Sequence, residues 1–561
     1  MAAAVVCWLA AVAFFLMRTD RALRAGLADA TTARAHLTPD DLRSGRALPA
    51  VESAGRHFAS AHRAVTNPVL APVRLLPVAG RQLRSLTALS AAADQVARVG
   101  AATMRESETV LALPHREGPD RIALLQRVTV MAERADRDLA HVPLGPANAL
   151  IHPIATKRAE FSKDLDQLRT GLRRGGAAAA GLADLLQGPH RYLLLAANNA
   201  EMRSGSGSFL AAGVIQTDGG RITLGPTQQT ADLLLDGDQV ALTGDLADRW
   251  GWLQPNREWR NLATTPQFDV TGALAAQMWK AKTGEDVDGV LAVDVEALRE
   301  VLKVTGAVPG PLGPVNKDNV VHTLLHDQYL VGDPLSATRH ENQGAVAATA
   351  MAAIQQGGVD VLPLGSGLAR AVEGRHLLLW SAQPSTESTW VRAGAAGTTA
   401  PEDLFVAVLN RGGNKLDQYL QVTSDLARTQ KGSVSQFELR IRLHNTAPTG
   451  EPPYIAGPNP LSGVGEGVYS GILAVDLPGA VGRAGVDGVS SFAAIGSEGP
   501  SEVLGVSVTV ARGESVEYVV RFQLRGDHGM VRFEPSARVP AVAWTAPGMR
   551  FTDDKPHVLR W

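Results

Sequence analysis

The sequence predicts a multi-domain α+β chain with an N-terminal membrane helix and helical stalk, a central α/β domain and a C-terminal antiparallel β-sandwich. Three observations predict it. Residues 2–17, AAAVVCWLAAVAFFLM, form an uncharged apolar run. Helical periodicity then persists, interrupted by proline, to about Gly188. From Tyr192 the pattern becomes short apolar runs, and the last third carries strict in-out alternation. At roughly 150 residues per domain, 561 residues give about three or four folded units. The expected boundaries are an anchor at 1–17, a stalk or bundle at 18–188, a mixed α/β domain at 189–395 and a sandwich at 396–561.

The apolar run would reach roughly 24 Å as a helix, somewhat short of a ~30 Å hydrocarbon core. No basic segment precedes it, and Phe14, Phe15, Leu16 and Met17 stand where a cleavage site would need small residues. It therefore reads as an uncleaved anchor. Arg18, Arg21 and Arg24 come directly after it and would, taken alone, hold the remainder in the cytoplasm. A basic segment ahead of Met1 would reverse that orientation. The expected location is a single-pass protein of the cell membrane with its bulk extracytoplasmic.

In the stalk, Thr38, Pro39, Asp40 and Asp41 form a helix start: an N-cap, a first-turn proline and two acids suited to the helix dipole. Pro68, Pro72 and Pro77 interrupt the helical pattern beyond it. Phe161, Leu165, Leu168 and Leu172 make the narrow stripe by which one helix packs on another, and Gly175-Gly176 interrupts it. Strands are expected over Tyr192–Ala197, Phe209–Thr217, Ile222–Leu224, Val287–Val293 and Leu377–Trp380. Asp294 should cap a helix running to Val304, with Gly306 as its stop. Another helix is expected over Arg339–Gln356. In the last third, Phe437, Leu439, Ile441 and Leu443 alternate with Glu438, Arg440, Arg442 and His444, and Val516, Tyr518, Val520, Phe522 and Leu524 repeat the device.

Composition excludes several classes of function. Lys+Arg of 54 against Asp+Glu of 56 removes the electrostatic case for a nucleic-acid binder. The single cysteine, Cys7, excludes intramolecular disulfides and cysteine-based metal clusters. No HExxH, Walker A, Rossmann fingerprint or GxSxG elbow supports a protease, motor or common hydrolase.

The densest polar cluster, Asn198-Asn199-Ala200-Glu201-Met202-Arg203 through Ser208, comes after the first strand of the α/β domain. Glycine and serine there let backbone approach a ligand, and Arg203 can grip a phosphate or carboxylate through paired N–H groups. The same loop also reads as a Glu201–Arg203 ion pair with asparagines capping turns. Arg339-His340-Glu341-Asn342-Gln343 starts the later helix, where Arg339, Gln343 and free backbone donors could hold an anion; a solvated helix start is the plainer reading. Trp250, Trp252, Trp259 and Phe268 lie among Asn256, Arg257, Arg260 and Asn261, a mixture found in carbohydrate grooves and equally where a loop folds over a sheet. His322 and His326 could share a helix face, but with no third ligand no metal is assigned.

The blocks Tyr192 to Arg203, then Val287-Asp288-Gly289-Val290 with Gly306-Ala307-Val308, then Asn410 to Tyr419, resemble the bacterial envelope family filed as domain of unknown function 4012 (DUF 4012). That resemblance implies a membrane-anchored protein with its bulk outside the cytoplasm and implies no activity. The order of elements is also similar to the LytR-CpsA-Psr envelope phosphotransferases, which move glycopolymers from a polyprenyl-pyrophosphate carrier to peptidoglycan. Where those enzymes place metal-binding aspartates, this chain offers Asn198 or Asn199 and, near Gly207-Ser208, Phe209. Magnesium on a pyrophosphate needs hard anionic ligands, so no cofactor is assigned, and the chain is phosphotransferase-like at most. The expected function is recognition of a phosphate-bearing ligand in envelope glycopolymer assembly or attachment, with Asn198, Asn199, Glu201, Arg203, Arg260, Asn261, Arg339 and Gln343 as ligand-binding residues. The alternative is a non-catalytic glycan-binding or scaffold protein. Expected partners are the membrane and a polyprenyl-phosphate-linked glycan or peptidoglycan.

Overall fold

The computed structural model describes residues 2–36, 41, 44–112, 118–237, 239–310, 312–330, 349–350, 353, 361–459 and 461–561. Thr38, Pro39 and Asp40 of the expected helix start, and Arg339 through Gln343, lie outside them. The class is mixed α+β, with helices in the N-terminal part and sheets in the C-terminal part. The chain divides into two compact units, Met1–Asp184 and Leu185–Trp561.

The first unit is helical: α1 Ala2–Ala35, α2 Leu48–Val65, α3 Pro77–Leu111, α4 Gly118–Ala140 and the greater part of α5 His152–Gln187. Pro77 starts α3, the one helical position where a missing N–H costs nothing. Small side chains let the helices approach closely: Ala54, Phe58, Ala93 and Ala97 form one buried cluster, and a Cβ on Gly26 would lie 2.6 Å from the Phe58 ring. On the α5 stripe Leu165 is buried, Phe161 and Leu172 pack beside it, and Leu168 is exposed. The helix continues through Gly175 and Gly176.

The expected transmembrane anchor finds no support here. No helix among the described residues is long and apolar enough to cross a membrane. The apolar run is instead the first half of α1, which continues through Arg18, Arg21 and Arg24 to Ala35. Trp8 Nε1 donates to the Val69 carbonyl at 3.0 Å, and Val12 and Phe15 pack on Val65, Leu70 and Leu83. Positions 8, 12 and 15 fall on one helix face, so the run supplies an inward stripe within a bundle.

The second unit contains three six-stranded sheets. Six strands build the first: β1 His190–Met202, β2 Gly207–Asp218, β3 Arg221–Leu224, β4 Gln228–Gln229, β5 Gly289–Val293 and β6 Leu377–Ser381. Its order is β3-β2-β1-β5-β6, with β4 on β2. Only β1 and β5 run parallel. Helices lie between these strands in sequence, among them α6 Gly244–Trp250, α7 Phe268–Thr283, α8 Val295–Thr305 and α9 Val320–Leu325. Asp294 caps α8 as expected, accepting from Glu296 N at 2.9 Å and Ala297 N at 3.2 Å.

The other two sheets face each other. One contains β7 Asp403–Asn410, β10 Tyr469–Leu477, β12 Ala494–Glu498, β13 Ser501–Val510, β15 Met530–Glu534 and β18 His557–Arg560. The second contains β8 Leu420–Lys431, β9 Val434–Asn445, β11 Val481–Val486, β14 Ser515–Arg525, β16 Ala543–Ala546 and β17 Met549–Phe551. Phe437, Leu439, Ile441 and Leu443 of β9 and Val520, Phe522 and Leu524 of β14 meet Leu404, Val406 and Val408 of β7 in one core. The expectation of a wholly antiparallel sandwich needs correcting, because β15 joins β7 and β16 joins β8 in parallel. In-out alternation marks which face is buried and is blind to strand direction.

Strand β7 is buried along its whole length. Its even face fills the sandwich core, while Leu409, with Ile472, Ala474, Ala494 and Val503, packs with Leu193, Phe209, Trp250 and Trp259 of the first sheet's layer. The central strands β7 and β10 of that sandwich sheet are thus covered on both faces.

Candidate ligand-binding site

The loop after β1 is held by close backbone approach. A Cβ on Gly205 would sit 2.4 Å from the Thr265 carbonyl, and one on Gly207 would sit 2.5 Å from Asn198 backbone. Gly205 N donates to Ala263 O at 2.9 Å and Arg203 N to Ser206 O at 2.8 Å. Only glycine permits these contacts, so the loop folds as a tight cap over the end of β1.

Most candidate side chains in this loop are engaged internally. Asn198 Nδ2 donates to the Tyr329 hydroxyl at 2.6 Å, and its Oδ1 accepts from Ala200 N at 2.9 Å. Asn199 Nδ2 donates to Asp294 Oδ2 at 2.7 Å and to Ala537 O at 2.8 Å. Glu201 pairs with Lys415, not with Arg203. The Lys415 ammonium also lies over the rings of Tyr329 at 5.3 Å and Tyr454 at 5.2 Å. Burial pulls it down to about 7, with the charge of Asp417 opposing the shift.

Asp417 is a fully buried hub. It accepts from Met202 N at 3.0 Å, Asn410 Nδ2 at 2.9 Å, the Tyr469 hydroxyl at 3.0 Å and Arg538 Nη1 at 2.8 Å. β7, β10 and the loop that carries Arg538 are thereby tied to the end of β1. Asp417 and Asn410 belong to the block Asn410–Tyr419, whose sequence suggests no role. Their contacts span 7 to 215 positions, so nothing local signals them.

Arg203 is different. The residue is 8% exposed; its guanidinium donates to Met202 O at 2.9 Å and Asn261 Oδ1 at 3.3 Å and has no ion-pair partner among the described residues. Burial lowers it to about 10, Asp417 partly offsets this, and the charges of Arg411 and Arg260 push it further down. It remains a cation at neutral pH. The neighbouring Ser204 hydroxyl is buried and has no hydrogen-bond partner among the described residues.

Two further guanidinium groups, Arg411 and Arg260, lie near enough for their charges to act on it. Arg411, exposed and without an ion-pair partner among the described residues, stacks over the ring of Trp252 at 4.9 Å. Trp252 is 54% exposed, whereas Trp250, Trp259 and Phe268 are buried. Trp250 Nε1 donates to Glu498 and Trp259 Nε1 to Leu233 O, both at 2.8 Å, so those two indoles are structural. Arg260 is bound by its neighbour Glu258, with Nε to Oε1 at 2.9 Å. Asn261 spans the site, accepting from Arg203 and donating to Leu253 O at 2.8 Å. Arg339 and Gln343 lie outside the described residues.

Chemically, the cluster offers a desolvated guanidinium, an exposed guanidinium on an aromatic face and a free buried hydroxyl. Such donors suit a phosphate or carboxylate. The nearby carboxylates Glu201, Asp417 and Asp294 are all engaged by cations, amides or backbone donors, which leaves little to bridge a hard metal.

Residues 187–329 match the family model described as "Protein of unknown function (DUF4012)". The match covers two of the three blocks that carried the resemblance, and Asn410–Tyr419 lies beyond it. No curated protein and no solved structure matches the chain.

Proposed function

We propose that the second unit recognises a phosphate-bearing ligand of the cell envelope, a polyprenyl-phosphate-linked glycan by class, and does so as a binding module and not as a metal-dependent phosphotransferase. The observation that carries this reading is the buried Arg203 guanidinium, left without a carboxylate partner among the described residues, beside the equally unpaired Arg411. A buried, unpaired charge is destabilising, and a ligand anion would supply the missing countercharge. Binding without catalysis is favoured because the carboxylates near the loop are already engaged. The envelope setting rests on the DUF 4012 resemblance. Membrane attachment is supported by the large apolar side chains that α1 leaves exposed, Val6, Leu9, Phe14 and Met17.

The test is the polyprenyl phosphate that co-purifies with the full chain, quantified by mass spectrometry for wild type, Arg411→Ala and Arg203→Ala. Arg411 lies at the surface, so its truncation leaves the fold intact. A charge-assisted hydrogen bond contributes about 1.5–3 kcal/mol, so each variant should retain roughly a tenth of the lipid or less. Wild-type lipid content in both variants would remove the phosphate reading.

A further inference from the structure

A second group of side chains involves none of these arginines. His322 belongs to α9, His326 is that helix's C-cap, and Asp327 opens the next 3-10 turn, Asp327–Tyr329. The backbone bond from His326 N to His322 O, 2.9 Å, closes the last helical turn. It brings the two imidazoles side by side, with ring centroids 4.7 Å apart. Asp327 Oδ1 then lies 2.8 Å from His322 Nδ1 and 3.0 Å from His326 Nδ1. One ligand atom from each of the three residues falls within 4.8 Å of the others.

From this geometry we propose that His322, His326 and Asp327 bind a divalent transition-metal ion of the Zn2+ class. Two bonds of about 2.0–2.1 Å meeting at a right angle place their donor atoms about 2.9 Å apart, and at a tetrahedral angle about 3.4 Å. The observed nitrogen-to-oxygen spacings match the first value and would open by about 0.4–0.6 Å to reach the second. Two imidazoles and one carboxylate favour zinc, cobalt, nickel or copper over magnesium or calcium.

The surroundings of His326 supply an independent argument. Its other nitrogen, Nε2, lies 3.2 Å from each Glu451 oxygen, and Glu451 is fixed in turn by the Tyr419 hydroxyl at 2.6 Å. A metal-binding histidine characteristically donates its second N–H to a carboxylate, which sets the tautomer and turns the free lone pair toward the metal. Nδ1 of His326 is thus presented to Asp327 and His322. The site is graded in exposure: the side chains of His326 and Glu451 are 14% and 10% exposed, while that of His322 is 68% exposed. Water can complete the coordination on the His322 side. The third ligand is hidden in the sequence because Asp327 adjoins His326 and reaches the metal position only through the turn that ends α9.

Untagged full-length chain, stripped with chelator, is titrated with Co2+ followed by its visible ligand-field bands, and with Zn2+ by equilibrium dialysis. The expected result is one saturable equivalent per chain, weakened at least about tenfold in His322→Ala and in Asp327→Asn, and about 10–100-fold in Glu451→Gln through loss of the orienting carboxylate. His322 is exposed, so unchanged far-ultraviolet circular dichroism is expected for its variant. Absence of one-equivalent binding in the wild type, or wild-type affinity in His322→Ala, overturns the assignment.

Discussion

Asp417 and Arg538 show why single residues matter here. Their side chains are 0% and 1% exposed and meet at 2.8 Å, and Arg538 Nη2 also donates to Leu420 O at 3.0 Å. Removing the carboxylate would leave the buried Arg538 charge without its counterion, would take an acceptor from the Tyr469 hydroxyl, Asn410 and Met202 N together, and would take from Arg203 the favourable charge of Asp417. Breaking a buried pair from one side destabilises by about 3–5 kcal/mol. Asp417→Ala should therefore lower the urea midpoint by that equivalent with an unchanged slope. A loss under about 1 kcal/mol would mean that Asp417 is not the hub. The sequence made the Arg203 loop legible, because a polar cluster at the end of an apolar strand is a local pattern. It did not make Lys415 legible as the partner of Glu201, since that pairing exists only once β7 and β1 are brought together. Nor could it separate exposed Trp252 from buried Trp250 and Trp259, for the three share one composition and differ only in which neighbours cover them.

Single elements were legible where local chemistry decided them. Asp294 was readable as a cap because a carboxylate at a helix start satisfies free N–H groups whatever surrounds it. Its second role was not readable: Asp294 Oδ2 lies 2.6 Å from His376 Nδ1 at the start of β6, and Asp554 lies 2.7 Å from Nε2. Burial disfavours the imidazolium, but Asp294 and Asp554 outweigh it and hold His376 up at about 10. A folded value above the unfolded value of about 6.5 means that this stabilisation is complete below about pH 6.5 and is lost as pH rises through about 10. Thermal unfolding measured from pH 6 to 10 should show a falling midpoint in the wild type. The fall should be shallower in His376→Gln, and parallel profiles would sink the assignment. The element whose sequence decides least is α1. Sixteen apolar residues satisfy a membrane helix and a bundle helix alike, and what distinguishes them is the partner met by Trp8, Val12 and Phe15, which lies some 50 or more positions away.

At the scale of the second unit, the sandwich is bound to the first sheet by more than chain connectivity. Leu409, Ile472, Ala474, Ala494 and Val503 project from the sandwich into the layer containing Leu193, Phe209 and Trp250. Full burial of a leucine, isoleucine or valine stabilises by about 1.5–3 kcal/mol, and three of these five are of that size. Polar contacts cross the same boundary, because Trp250 Nε1 donates to Glu498 and Asp245 Oδ2 accepts from Gly499 N at 2.9 Å. Burial holds the carboxyls of Asp476 and Glu498 above their ordinary range, a state that exposure to water would end. A cut at the sequence change near residue 395 should therefore damage the sandwich. Fragment 396–561 is expected to aggregate or to bind a hydrophobic dye strongly. Fragment 185–561 should stay soluble and unfold in one cooperative transition by calorimetry. If 396–561 instead proves soluble, dye-silent and as stable as the longer fragment, the apolar layer between sheet and sandwich contributes little, and the alternation of polar and apolar residues would by itself have marked an independent domain.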